Sequence, residues 1–439
     1  MTGILALLTQ PGHFIATDLG AWGLDWSRFK SCVNDQVYPC TELSFFPLAY
    51  LMNSGVLFFL RTLGLKSHHG MLIINSLMLT LPIIYLLTTR PLRQARVLSL
   101  IYVLAILLTC TTSMYLYTGA LEVQAGVLIG IFLAAWLEIS AQPLRKGKAI
   151  TLFYFVTCGL LLAFYKDTNT VVLLASLSVV ILLRAGARLV QADRSSLVLG
   201  AVKLMLPVGV LTLAALANLA YNMFRYDSYL PTAYLNIAAS YAPSLRKSAE
   251  FFAATFLSPN GGTIIFWMGG FTGAVWLLIR SQFLIASDAI LIGVILILAS
   301  AIGFSLWWNP FGWDAWGDRL MVPAALGTLI MLILSAKPHD TALGFRTISV
   351  QFIHGFPVKI TLLVIFSLSL YFSLISYYSD RRALMNQAMF GTTNCQNMMK
   401  LLRSDSQVVR QGFWRSEHYY NCASERFLHF PTLIRPNKT

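Results

Sequence analysis

Ten apolar runs, each long enough to cross a bilayer core or close to it, follow one another along the chain at about 70–89, 97–117, 120–141, 149–165, 170–184, 198–222, 262–280, 288–307, 320–337 and 357–377. A spanning helix needs about 17–25 predominantly apolar residues, so several of these runs sit at the short end of that range. The pattern predicts an all-α polytopic membrane protein, a transmembrane bundle of about 10–11 helices with loops on its outer face. A further run, Leu43 to Leu65, is long enough to span. Crossing there would put residues 1–42 in the cytoplasm with Cys32 and Cys40, so we read it as a juxtamembrane or re-entrant segment interrupted at Asn53, Ser54 and Gly55.

Composition agrees with the pattern. Of 439 residues, 57% are apolar and only 11% are Asp, Glu, Lys or Arg, against about 25% charged in an ordinary soluble domain. The net charge of +14 does not imply a nucleic-acid partner, because the basic residues fall in short clusters between apolar runs rather than on one face. They mark topology instead. Arg90, Arg93 and Arg96, then Arg145, Lys146 and Lys148, then Arg184, Arg188 and Arg194 occupy alternate loops, which are expected to be cytoplasmic. Continuing the alternation places Arg280 and Lys337 inside. Residues 117–122, 165–170, 225–261, 307–319 and the tail from Tyr378 fall outside. The organisation expected is one membrane domain over 1–377, with an outer loop at about 10–42, and an extracytoplasmic tail over 378–439. Met1 to Thr9 has too short an apolar core and no basic start to read as a cleavable signal peptide.

Cysteine placement fits this topology. Cys110 and Cys158 lie inside apolar runs, whereas Cys32, Cys40, Cys395 and Cys422 lie in polar segments assigned to the outer side, where disulfides persist. We expect Cys32–Cys40 and Cys395–Cys422 bridges, each contributing about 2–4 kcal/mol in the chain-entropy account. Non-reduced, alkylated peptide maps should recover both cross-linked pairs; four free thiols would dismiss them and weaken the outward assignment.

With 18 acidic residues in the chain, their positions carry information. Asp18 and Asp25 sit in TDLGAWGLDW beside Trp22 and Trp26, and Glu122 follows YTGAL at the mouth of a span. A carboxylate at a membrane boundary, near rings that stack on sugars, suits a general base or substrate-orienting group. An ordinary solvated loop acid fits the same pattern. Lys166 and Asp167, in FYKDTNT, read either as a snorkelling lysine and a helix cap or as a lysine that meets a lipid-linked phosphate. The segment WWNPFGWDAWGDRLMVP carries four tryptophans, Trp313 and Trp316 among them, and one basic residue, Arg319. Tryptophans are common at interfaces. An arginine entering a span is either an interfacial anchor or a planar fork suited to bidentate phosphate binding.

Four segments in order resemble elements of the GT-C glycosyltransferases, the superfamily that includes protein O-mannosyltransferases and lipid A aminoarabinose transferases. YPCTELSFFPLAYLMNSGVLFFLRTLG resembles the segment after the first outer loop; YNMFRYDSYLPTAY resembles the asparagine and tyrosine segment; FLSPNGGTIIF is similar to the serine-proline element; and GWDAWGDRLMVPA is similar to the tryptophan, arginine and proline element. Two departures stand out. The helix expected before the acidic loop is represented only by Met1 to Phe14, and Asn260 stands where a basic residue is usual.

The resemblance implies a polyprenyl-phosphate sugar as donor, an acidic residue of the first outer loop as catalytic base, a second acid at Glu122, and Arg319 on the phosphate. Asp18 is favoured over Asp25 because an aromatic residue, Trp22, follows four positions on. Lys166 would assist at the phosphate, and Trp22, Trp313, Trp316, Tyr234 and Asn222 would line the sugar and acceptor end. The expected acceptor is an envelope glycan or glycolipid, lipopolysaccharide O-antigen or core first, lipid A or an arabinan-type polymer next. The expected place is the bacterial cytoplasmic membrane, with the site facing the periplasm and membrane lipids around it. No dinucleotide or P-loop motif and no His or Cys cluster with metal spacing is present in the sequence. No cofactor is expected; a divalent cation on the carboxylates is open but has no residue pattern behind it. The competing readings are a transporter or lipid flippase and a catalytically inactive scaffold.

Overall fold

The computed structural model describes residues 55–56, 59, 62–64, 67–108, 121–141, 149–165, 167–189, 194–230, 243–257, 262–281, 283–306, 319–336, 364 and 367. Among these there is no strand. In chain order the helices are α1 (Ser67–Thr89), α2 (Leu92–Leu108), α3 (Glu122–Ala141), α4 (Ala149–Tyr165), α5 (Asp167–Leu189), α6 (Arg194–Tyr226), α7 (Leu245–Leu257), α8 (Thr263–Ser281), α9 (Phe283–Ser305) and α10 (Val322–Ser335), the last entered through a 3₁₀ turn at Arg319–Met321. Helices occupy nine of the ten apolar runs. The tail, most of Leu43–Leu65 and the tenth run apart from residues 364 and 367 lie outside the described residues.

α3 is the centre. It is apolar on every side, with residues such as Val123, Val127, Ile131 and Ala135 wholly buried, and α1, α4, α6, α9 and α10 all pack on it. A helix that is apolar all round belongs in an interior. α10 is buried throughout its length in the same way. Several surrounding helices keep an outward apolar stripe. On α9 it runs through Val294, Leu298 and Ile302, on α6 through Leu213 and Leu216, and on α5 through Val171, Val179 and Leu182. Among the described residues three helical stretches, Glu122–Ala141, Leu204–Phe224 and Asp288–Ser305, are long and apolar enough to cross a membrane.

Contacts at the helix ends fix the direction of each helix. Gln124 of α3 donates to Asn75 of α1 near one end, and the Tyr85 hydroxyl of α1 reaches Glu138 of α3 near the other. α1 and α3 therefore run parallel. α10 is also parallel to α3, since Arg319 meets Glu122 at one end while Arg90 spans Glu138 and the Leu334 carbonyl at the other. Parallel running of α3 and α10 requires an odd number of passes between them, which α4, α5, α6, α8 and α9 supply. α7 makes no pass: 13 residues rise only about 20 Å. The sequence reading placed α7 inside an outer loop; it is a helix whose Phe251 and Ala254 are buried and which packs on α8 and α9.

The α3–α10 contact is tight because glycines let the backbones approach, as small residues do between membrane helices. A Cβ built at Gly130 would lie 2.5 Å from Ile330 Cβ, and one at Gly327 would lie 2.6 Å from Ile129 Cγ2. Neither neighbour is the loose end of a flexible chain, so a methyl group there must push the helices apart. Gly130→Ala should lower stability by about 1–3 kcal/mol through overpacking. Gly209→Ala, where a Cβ meets nothing within 4 Å, should be neutral or stabilising by up to about 1 kcal/mol through helix propensity. Thermal unfolding of the two variants in detergent checks the contrast; equal midpoints would show that the glycine contact carries no strain.

Candidate site at the Glu122 end

Glu122 is the first residue of α3 and is 0% exposed. A carboxylate at this position is favoured by the unpaired N–H groups and positive dipole end of its own helix. Its partner arrives from 197 positions away: Arg319 Nε donates to Glu122 Oε1 at 3.1 Å. Arg319 lies in the 3₁₀ turn that opens α10, where Pro323 suits the first turn of the helix. Because that is a second positive dipole end, the guanidinium gains nothing from its own helix, and the Glu122 carboxylate provides the compensating charge. The side chains are only 8% and 0% exposed. Glu122 is thus not a solvated loop acid, and Arg319 is not a solvent-facing interfacial anchor.

Buried amides brace this end. Gln124 Nε2 donates to Asn75 Oδ1 at 2.8 Å, tying α3 to α1. Asn218 Nδ2 donates to the Ala163 carbonyl at 2.8 Å, tying α6 to the end of α4. Asn222 Nδ2 turns to Asn218 Oδ1 at 3.1 Å and faces the Tyr229 carbonyl at 3.4 Å. Asn222, expected at the sugar end, therefore joins α6 to the chain that follows it. That chain leaves the helix through Asp227, whose φ of 55° places an Asp in the left-handed conformation that commonly ends helices.

Of the residues expected at the site, the structure brings Glu122 and Arg319 together. Asp18, Trp22, Asp25, Lys166, Tyr234, Trp313, Trp316 and the four loop cysteines Cys32, Cys40, Cys395 and Cys422 lie outside the described residues. Among the described residues no group of three or more His, Cys, Asp or Glu side chains comes together as a metal site would require.

A second set of charges lies at the opposite end of the bundle, where the basic residues were expected to mark topology. Arg90 Nη2 lies 3.3 Å from Glu138 Oε2, and the same oxygen accepts from the Tyr85 hydroxyl at 3.0 Å. Arg90 also donates to the Leu334 carbonyl at 3.4 Å, and Tyr85 meets Tyr154 edge-to-face at 5.2 Å. Nearby, Arg184 of α5 pairs with Asp288 of α9 and sits 6.0 Å over the Trp136 ring, within cation–π range. The signal for these was present, because an acid inside an apolar run asks for a partner. α3 and α10 are thus clasped by a carboxylate–arginine pair at each end, with the glycine contact between.

Chemically, the Glu122 end offers a guanidinium held in one orientation by a buried carboxylate. N-termini of α3, α5 and α10 also point to this end. Such a setting attracts an oxyanion, above all a phosphate. Compared with known protein families, curated proteins and solved structures, the chain matches none.

Proposed function

We propose that this protein is a multi-pass membrane glycosyltransferase of the GT-C kind, taking a sugar from a polyprenyl-phosphate donor and passing it to an envelope glycan. Lipopolysaccharide O-antigen or core is the favoured acceptor, and the site faces the periplasm from the bacterial cytoplasmic membrane. The single observation behind this reading is the buried Glu122–Arg319 pair. Two residues singled out separately, one as an acid at a span mouth and one as a phosphate-binding arginine, share one hydrogen bond across 197 positions of sequence. The four sequence resemblances and the outward apolar stripes add support.

In this reaction the acceptor hydroxyl oxygen bonds to the anomeric carbon of the sugar while the bond from that carbon to the phosphate oxygen breaks. The hydroxyl proton passes to Asp18 or Asp25, and the electron pair leaves on the lipid phosphate. Arg319, oriented by Glu122, stabilises the charge that develops on the departing phosphate, with Lys166 assisting. Because the donor is already a lipid phosphate, no nucleotide has to reach the outer face. A transporter or flippase would place ionisable groups midway along its helices, and the buried Arg90–Glu138 and Arg319–Glu122 pairs among the described residues sit toward helix ends instead.

The test is transfer itself. Mass spectrometry of envelope glycans from cells with and without the gene should show one sugar substituent that depends on it. Identical glycan profiles, together with no transfer from any polyprenyl-phosphate sugar to isolated lipopolysaccharide, would remove the proposal.

A further inference from the structure

We infer that the first turn of α5 is a phosphate-binding site of its own, in which Asn169 and Thr170 donate to the phosphate of a lipid at the Glu122 end of the bundle. The choice of a lipid phosphate rests on the transferase reading; the site rests on hydrogen-bond accounting. Among the described residues the buried side-chain amides are Asn75, Gln124, Asn169, Asn218 and Asn222. Four of them have hydrogen-bond partners: Asn75, Gln124 and Asn218 in bonds between helices, and Asn222 to Asn218 within α6. Asn169 does not: it is 5% exposed, and its Nδ2 has no acceptor. The next residue, Thr170, is 2% exposed, and its Oγ1 is likewise without a partner. Some buried hydroxyls within helices turn back to a carbonyl four residues earlier, as Ser176 does to Val172 and Thr255 to Phe251, whereas Thr328 and Ser335 of α10, like Thr170, have no partner; Asn169 therefore carries more of the accounting than Thr170. For Thr170 the corresponding carbonyl precedes the helix, which begins at Asp167.

Two buried donors in the first turn of a 23-residue helix are well placed for an anion. Side chains there lean toward the helix N-terminus. The first four backbone N–H groups of any helix lack an intrahelical acceptor, and the dipole adds partial positive charge. In sequence, Lys166 and Asp167 stand next to these donors with opposite charges, so neither sign dominates and the donors set the preference. α5 packs along α9, with Val172 4.0 Å from a Cβ built at Gly303, and α9 in turn touches the turn that carries Arg319. The proposed site and the Glu122–Arg319 pair are both neighbours of α9.

Full-length protein in a maltoside detergent, which contains no phosphate, provides the test. It is titrated with polyprenyl monophosphate and separately with inorganic phosphate, with binding read by native mass spectrometry. Thr170→Val is close to isosteric and Asn169→Leu keeps the branched outline in a somewhat larger side chain; each removes the donor. Each should weaken lipid-phosphate binding about 10-fold or more. In ligand-free protein each should leave the thermal midpoint unchanged or raise it, because a donor without an acceptor has been removed. Competition by inorganic phosphate would assign recognition to the headgroup alone, and lipid binding without such competition would assign a share to the prenyl tail; both sustain the site. Undiminished binding in both variants, a lowered midpoint in both, or a wild-type protein that binds neither probe overturns it. Protein that transfers no sugar yet binds lipid phosphate through these two residues removes the transferase reading and keeps the site. A working transferase indifferent to both substitutions does the reverse.

Discussion

Arg319→Ala should lower stability by about 3–5 kcal/mol and, on the proposed transferase mechanism, abolish turnover. The loss is large because Glu122, 0% exposed, would keep its negative charge in the interior with its Nε donor gone, and breaking one side of a buried pair leaves the other charge uncompensated. Glu122→Gln should be costly for the same reason in reverse. The double variant, Glu122→Gln with Arg319→Ala, removes both charges at once and should be more stable than the sum of the single losses implies, giving a coupling energy of about 0.5–3 kcal/mol. Arg319→Lys keeps the charge but lacks the planar fork and the Nε donor, so it should fold better than Arg319→Ala while remaining slow. Unfolding midpoints of the four variants in detergent, set beside transfer rates, separate the structural share from the chemical one. Single losses that simply add in the double variant would mean the two side chains are not coupled as their 3.1 Å contact requires.

On the proposed transferase mechanism, Asp18→Asn should cost about 10²-fold or more in transfer rate with little change in folding, because the substitution keeps the shape of the side chain and removes its ability to accept a proton. Asp25→Asn should slow transfer less. Rates measured at saturating donor distinguish chemistry from binding. A wild-type rate for Asp18→Asn with a slow Asp25→Asn would transfer the base to Asp25. Wild-type rates for both would take the first outer loop out of the proton transfer altogether.

Runs of Leu, Ile, Val and Ala carried the helices plainly, since nothing else accommodates some 20 consecutive apolar residues. Their ends were less legible. The run at 170–184 extends as α5 from Asp167 to Leu189, because hydropathy falls at Arg184 and Arg188 whereas Arg, Ala and Leu all favour helix. α7 escaped notice for the related reason that Arg246, Lys247 and Glu250 interrupt its apolar side over only 13 residues. At the site, Glu122 and Arg319 were each visible as a charge beside an apolar run. Their pairing was not, because no local pattern encodes which charge meets which across so long a separation. Arg90 was read for topology alone, which concealed its contact with Glu138; a topogenic arginine at a helix end is also within reach of an acid on the next helix. Gly126, Gly130 and Gly327 were equally silent, since a glycine in an apolar run looks the same whether it faces open space, as at Gly209, or another backbone.

The pairing of α3 with α10 also sets an order of assembly. At about 5–20 residues per second, a ribosome that has just finished Glu122 needs roughly 10–40 s to reach Arg319, 197 residues later. For most of that interval the central helix of the bundle is complete while the arginine that balances its first residue does not yet exist. Glu122 must wait at the membrane surface, in contact with water, and α3 can settle to its final depth only when α10 arrives beside it. A nascent chain stalled after α9 would therefore hold a nearly complete bundle with a loose central helix, vulnerable to quality-control proteases until the last partner is threaded in.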